Sequence, residues 1–177
     1  MTAPLFDRLR EQLSPVEAGP EDQPSAASPV LCRGVQHKVL VFELTPDQLL
    51  PVARRLHDEF GFDLFLDVTA VDWPDAPLRF EVVWHFYSTT AHVRVRLKTR
   101  VSVQDCTVDT LTPLYGSAGY MERECHDMYG IGFRGNPDLR PILLYEGFVG
   151  HPLRKDYPKQ KEQPLVPYRP PQSALVR

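Results

Sequence analysis

Apolar residues recur along this chain with two different periods, and the switches between them outline its elements. Leu5, Leu9 and Leu13, with Phe6 beside them, repeat every four residues and predict a short amphipathic helix in the N-terminal segment 1–13. From Ser14 to Pro29, four prolines stand among Ser, Ala, Glu and Asp with few large apolar side chains. Such a composition cannot offset chain entropy by burial, so residues 14–34 are expected to form a flexible linker. Strict alternation follows at 36–44, with Val39 and Val41 on one face and Leu40, Phe42 and Leu44 on the other, which predicts a strand.

Thr45-Pro46-Asp47-Gln48 resembles a capping box with proline at the first helical position, and Leu44 and Leu49 are placed as its hydrophobic staple. Leu49, Val52, Ala53, Leu56 and Phe60 then share one helical face, which Gly61 ends. An interior proline costs about 3 kcal/mol, so Pro51 suggests that the helix proper begins there and leaves the Thr45 turn outside. Three further strands are expected at roughly 63–73, 78–87 and 92–99. In the last, Val93, Val95 and Leu97 alternate with Arg94, Arg96 and Lys98, a half-buried strand. The joints Trp73–Pro77 and Ser88–Thr90 are turn-like and predict an antiparallel meander.

A short helix is expected near 108–115, interrupted by Pro113. A second runs from 118 to 129 and stops at Gly130, with Ile131 as the apolar residue of a Schellman-type cap. Beyond Phe133 eight prolines exclude long helices and central strands, yet apolar anchors such as Ile142, Leu143, Leu144, Phe148, Leu153 and Tyr157 persist. That pairing describes a segment ordered by lying on another surface. The fold class expected is therefore α+β: a core domain over 35–132 with a four-stranded mixed or antiparallel sheet and two main helices, and a long irregular C-terminal extension over 133–177.

At 177 residues and 42% hydrophobic content the chain can bury one core. Its purely apolar runs reach about four residues, far short of the roughly 18 of a membrane-spanning helix. The N-terminus lacks the basic and apolar regions of an export signal, so any membrane association is expected to come through a partner. Cys32, Cys106 and Cys125 form no C-x-x-C pair, which argues against a disulfide scaffold or zinc ribbon and suits a reducing compartment. Three cysteines also cannot supply a four-cysteine iron–sulfur cluster within this chain. The net charge of −3 is uneven: from Phe133 onward there are eight Lys/Arg against four Asp/Glu, while the first 132 residues are acidic.

Gly130-Ile131-Gly132-Phe133-Arg134-Gly135 matches G-x-G-x-x-G, but a dinucleotide site needs a strand before it and a helix after it. Here a helix precedes, so the glycines read better as a helix stop and a sharp exit. Glu122 and His126 lie four apart with Asp127 adjacent, yet neither the paired Glu-x-x-His of a di-iron bundle nor an H-x-x-x-H or C-x-x-C zinc spacing is present. An ion-pair ladder through Arg123 and Asp127 explains that helix more simply. The scattered histidines define no nucleophile elbow with a Ser or Cys. Arg94, Arg96, Lys98 and Arg100, with Arg154, Lys155, Lys159 and Lys161, offer charge for nucleic acid. Against that stand a pI near 6.1 and the lack of an aromatic RNA-binding motif; a salt-bridging protein interface fits as well.

Glu122-Arg123-Glu124, Asp127-Met128-Tyr129-Gly130-Ile131, Pro137-Asp138-Leu139-Arg140, Ile142-Leu143-Leu144 and His151-Pro152-Leu153-Arg154-Lys155-Asp156 follow one another in order. With Leu66–Asp72 and Phe80–Tyr87 upstream, the stretch from Val35 to Pro158 resembles the C subunit of respiratory NADH–quinone oxidoreductase (complex I), the thirty-kilodalton subunit family. It departs from the family's usual residues at His126, Asn136, Pro141 and Tyr145–Phe148.

The resemblance implies an interface and structural role rather than a catalytic one, with no cofactor or metal bound by this chain. FMN, the iron–sulfur clusters and quinone would belong to the rest of a hetero-oligomeric complex. It implies docking on the large quinone-site subunit (the D type) and the cluster-bearing subunits B and I, peripheral to the cytoplasmic side of the cell inner membrane, with no nucleic acid. Glu122, Arg123, Glu124 and Asp127 would hold the helix by ion pairs to the body or a neighbouring chain, and Gly130 would allow the turn. Arg140, Arg154, Lys155 and Asp156 would fix the tail by charge-assisted hydrogen bonds, with Asp138, Leu143, His151 and Tyr157 in the same interface set. The alternatives are the equivalent subunit of a membrane-bound hydrogenase or ferredoxin-fed quinone reductase, a stand-alone nucleic-acid-binding module, and an enzyme built on Glu122, His126 and Asp127.

Overall fold

Five strands, not four, form the main sheet of the computed structural model, which describes residues 3–13 and 30–160. In chain order the elements are α1 (Ala3–Leu13), β1 (Leu31–Gln36), β2 (Val39–Glu43), a 3-10 turn (Pro46–Gln48), α2 (Leu49–Asp58), β3 (Leu64–Asp72), β4 (Phe80–Ser88), β5 (Val93–Val101), β6 (Thr107–Asp109), α3 (Ala118–Tyr129) and β7 (Gly132–Arg134). The sheet order is β1-β2-β5-β4-β3, mixed because β2 and β5 run parallel while the other neighbours are antiparallel. The α+β class and the β3–β4–β5 meander agree with the sequence pattern.

The extra strand is β1, which begins at Leu31, inside the stretch expected to be linker. Arg33 and Gly34 hide its period, and its register on β2 shifts between Cys32 and Val35. What reads as one strand over 36–44 is the end of β1, a two-residue turn at His37-Lys38, and β2. The rest of the expected linker, 14–29, and the end of the tail, 161–177, lie outside the described residues.

Pro51 causes no conflict. Thr45 N–H donates to Gln48 Oε1 at 3.0 Å, the 3-10 turn follows, and α2 starts at Leu49. Pro51 then falls in the first helical turn, where its missing N–H costs nothing. The expected helix at 108–115 is instead β6 and a tight turn. Thr107–Asp109 pairs in parallel with Gly132–Arg134, a partner too remote for local periodicity to show.

The three helices pack on one face of the sheet. Leu9, Leu49, Leu56, Ala118 and Cys125 join Leu40, Phe42, Trp84, Phe86 and Leu97 in a single core. Asp72 breaks the pattern: it follows Val68 and Ala70 on this inward face and is 5% exposed.

Candidate functional site: a strap across the end of helix α3

An α-helix leaves its last four carbonyls without intrahelical partners. In α3 these belong to His126, Asp127, Met128 and Tyr129, and each finds a donor beyond the helix. Gly130 N–H closes on the His126 carbonyl at 2.7 Å. The His151 ring donates through Nδ1 to the Asp127 carbonyl at 2.9 Å. Leu153 N–H reaches the Met128 carbonyl at 3.1 Å, and Arg154 Nε reaches that of Tyr129 at 2.6 Å. A carbonyl only accepts, so His151 carries its proton on Nδ1. His151-Pro152-Leu153-Arg154 is thus a cap for α3, and an Arg beside a helix C-terminus also meets the dipole favourably.

Gly130 makes this closeness possible. It sits at φ +72°, and a Cβ there would lie 2.4 Å from both Arg154 Nη2 and His151 Nε2. Gly150 plays a similar part upstream, where a Cβ would meet the Tyr157 ring at 2.8 Å, and that ring stacks on Phe148.

Two further anchors hold the segment 138–157. Asp127 Oδ2 accepts the backbone N–H groups of Ile142, Leu143 and Leu144 at 2.8, 2.9 and 3.3 Å. Burial pushes its carboxyl up, but these three donors outweigh that and hold it below the usual Asp range. At the other end, Arg79 grips Asp72 bidentately at 2.7 and 2.8 Å and reaches Asp156 at 2.8 Å. Asp72 also accepts Lys155 N–H at 2.7 Å. The Arg79 hydrogen bonds lower both carboxylates and hold the guanidinium firmly protonated. Arg79 and Arg154 each lie over the Phe80 ring, at 5.1 and 5.0 Å.

Glu122, in the first half of α3, is fully buried and pairs with no cation among the described residues. It accepts Thr110 Oγ1–H at 2.6 Å, Leu111 N–H at 2.8 Å and Asn136 Nδ2–H at 2.8 Å. Desolvation raises its pKa, against the pull of those three donors.

The expected ion-pair ladder along α3 is therefore corrected. Glu122 and Asp127 bind uncharged donors, because both are buried and the nearby chain presents N–H and O–H groups rather than cations. Arg123 reaches the Arg140 and Pro141 carbonyls at 2.8 and 3.0 Å, with Asp138 at 3.9 Å. Glu124 is exposed and has no ion-pair partner among the described residues. Arg140 pairs with Asp138 two residues back and its side chain does not reach α3, and Lys155 contributes its backbone N–H rather than its charge.

Asp72, Arg79, Asn136 and Thr110 complete the site without standing out in the sequence. A carboxylate at an inward position of β3 was the readable sign of a partner for Asp72. The G-x-G-x-x-G run leads from α3 into strand β7, with no helix after it among the described residues. No helix among the described residues is long and apolar enough to cross a membrane.

The strap is pinned on its inner side and holds apolar side chains outward among charged ones such as Arg140 and Asp156: Leu143 is 59% exposed and Leu153 50%, with Tyr120 of α3 also outward at 66%. Apolar side chains held outward on a fixed backbone suit a protein partner better than a small substrate.

The family model for the respiratory-chain NADH dehydrogenase, 30 Kd subunit, matches residues 42–163. The NADH-quinone oxidoreductase C subunit of Citrifermentans bemidjiense is 43% identical over 114 residues, 64% of this chain and 71% of that protein. The Agrobacterium fabrum protein of the same name is 42% identical over 131 residues, 73% of this chain and 65% of its own length. That of Rhodobacter capsulatus is 43% identical over 121 residues, 67% of this chain and 60% of its own. Among solved structures, the trypsin-resistant fragment (1-134) of Nqo5 superposes with a TM-score of 0.55 at 28% identity, covering 62% of this chain and 89% of the fragment. A chain of the membrane-bound sulfane sulfur reductase, an archaeal respiratory membrane complex, shares the fold over 99% of both chains, with a TM-score of 0.69 at 23% identity.

Proposed function

Because the chain belongs to the respiratory-chain NADH dehydrogenase 30 kDa subunit family, we propose that it serves as the C subunit of an NADH–quinone oxidoreductase, bracing its partners without a cofactor of its own. The match runs through the whole strap, and that is the observation carrying the reading. The family's motif residues here bind one another and present Leu143 and Leu153 outward. None of them is arranged around a reacting group.

In this reading the strap docks on the large quinone-site subunit, with the cluster-bearing subunits B and I beside it. Glu124, exposed on α3, is a charge available to such a neighbour. The complex as a whole supplies FMN, the iron–sulfur clusters and quinone, and it couples electron transfer from NADH to proton translocation. The chain is then peripheral to the inner membrane on its cytoplasmic side, held there through partners, and inactive when isolated.

The test is to tag the N-terminus, purify the chain from mildly solubilised membranes of its host, and identify what accompanies it. Co-elution with a quinone-site subunit, iron–sulfur subunits and NADH dehydrogenase activity is expected. Recovery alone, at normal expression, overturns the proposal.

A further inference from the structure

Among the described residues the core is built on one face of the five-stranded sheet. The opposite face carries Arg94, Arg96, Lys98 and Arg100 on β5, flanked by Glu81 and His85 on β4 and Val41 and Glu43 on β2. Two of the four cations in that row share one carboxylate of this chain. Lys98 and Arg100 both pair with Glu81, at 2.8 and 3.1 Å. Arg94 and Arg96 have no ion-pair partner among the described residues, and Arg96 Nε is buried without a hydrogen-bond acceptor there.

A second observation points to the same end of the sheet. Among the described residues the non-glycine positions with positive φ are His37, Lys38 and His92, at +51°, +66° and +55°. His37 and Lys38 make the two-residue turn closed by the Gln36–Val39 pair, and Val39 is the register partner of Arg94. His92 forms the β4–β5 turn, next to the Ser88–Val93 pair. A hairpin turn with both central φ values positive is unstrained with Asn-Gly, whereas His-Lys is not. Backbone strain of this kind persists where the side chains serve a purpose. Here the three strained positions place one Lys and two His side chains at the end of the sheet that carries Arg94, which has no ion-pair partner among the described residues, with exposed Val35 and the Tyr87 ring adjacent.

We propose that this end of the sheet face docks a carboxylate-rich segment of a neighbouring subunit, an inference that rests on the proposed membership of a multi-subunit complex. Arg and Tyr are side chains over-represented in protein hot spots. Glu81 and Glu43, carboxylates of the same face, lie toward its other end and are paired with Lys98, Arg100 and Arg33, which leaves the end at Arg94, His37 and Lys38 cationic and complementary to an acidic partner. Charge complementarity then supplies an attraction that weakens with salt.

The experiment uses the tagged chain within the purified membrane complex, with a photo-crosslinking residue in place of Val35. A crosslink to an acidic peptide of another subunit is expected. With Arg94→Glu and Arg96→Glu, the salt concentration that strips the chain from the complex should fall to roughly half or less. Replacing His37-Lys38 by Asn-Gly should raise the melting temperature of the chain by about 2–4 °C while lowering its salt tolerance in the complex. A purely structural role for those residues would not produce that split. A crosslink to residues 14–29 of the same chain, a lipid adduct, no adduct, or unchanged salt tolerance overturns the inference while leaving the proposed function intact. Failure of the chain to accompany the complex at all removes both.

Discussion

The backbone N–H of Leu153 donates to the carbonyl of Met128, 25 positions earlier, and this bond sets the register of the strap on the last turn of α3. His151 and Arg154 flank it on the neighbouring carbonyls, so a slip of one residue would misplace all three donors. Helix end and strap are therefore one unit: α3 is finished by residues distant from it in sequence.

Gly130→Ala should break that unit. A methyl at φ +72° is strained, and it would also meet Arg154 and His151 at 2.4 Å. Gly61 provides the control, since it has φ +69° with nothing within 4 Å of where a Cβ would stand. Gly61→Ala should cost about 1 kcal/mol and Gly130→Ala about 2–4 kcal/mol, measured by urea denaturation. Equal losses at the two positions would mean that the strap does not crowd Gly130.

Asp127→Ala should free the strap without melting the domain. Its carboxylate is the shared acceptor for three backbone N–H groups at 142–144. Hydrogen exchange of those amides should quicken about 10–100-fold, while amides of β4 and β5 keep their protection. Slow exchange retained at 142–144 would show that other contacts hold the segment.

Much of this was legible in the sequence, and the parts that were not share a cause. Alternation gave β3, β4 and β5, and the Gly130 stop gave the end of α3, because these features depend on residues near one another in the chain. β6 and β7 were invisible because each is three residues long and is defined by the other. Glu122 looked like a surface charge since its helical neighbours are charged; only its contacts with Thr110, Leu111 and Asn136 reveal a buried acceptor. The departure at Asn136 gains a role there, as its amide completes the Glu122 site. The tail read as needing another surface, and for residues 138–157 much of that surface is this chain's own α3 and β3–β4 end.

Glu122→Ala should destabilise the chain by about 3–5 kcal/mol, because it takes the acceptor from the buried Leu111 N–H and the Asn136 amide and opens a cavity. Glu122→Gln keeps the shape and removes the charge, at a cost of about 1–2 kcal/mol, since one of its groups now faces the Asn136 donor. The pKa of Glu122 is raised, so its stabilising contribution is full below the unfolded value near 4.5 and fades as pH rises through the folded one. The stability difference between wild type and Glu122→Gln should therefore shrink as pH rises from 4.5 toward neutrality. A difference that stays constant across that range would mean the carboxyl is not strained by burial.

His151 gives the opposite sign. Burial lowers its pKa from 6.5, the Asp127 carbonyl pulls it back up, and Arg154 and His126 nearby press it down. A depressed folded pKa contributes stability that is present above the unfolded value and lost as pH falls through the folded one. Protonation adds a charge on Nε2, the atom that faces Gly130 and lies close to Arg154, while Nδ1 keeps its bond to Asp127. The strap should therefore loosen at its 151–154 end first as pH drops below 6.5. Hydrogen exchange of Leu153 and Arg154, corrected for the intrinsic pH dependence, should speed up between about pH 7.5 and 5.5 in the wild type and not in His151→Gln. The variant should be looser than wild type at the alkaline end and lack the transition, because its amide can donate to the carbonyl but cannot titrate. If both proteins showed the same acid loosening, the titrating group would be elsewhere, and His151 would be a cap without a pH response.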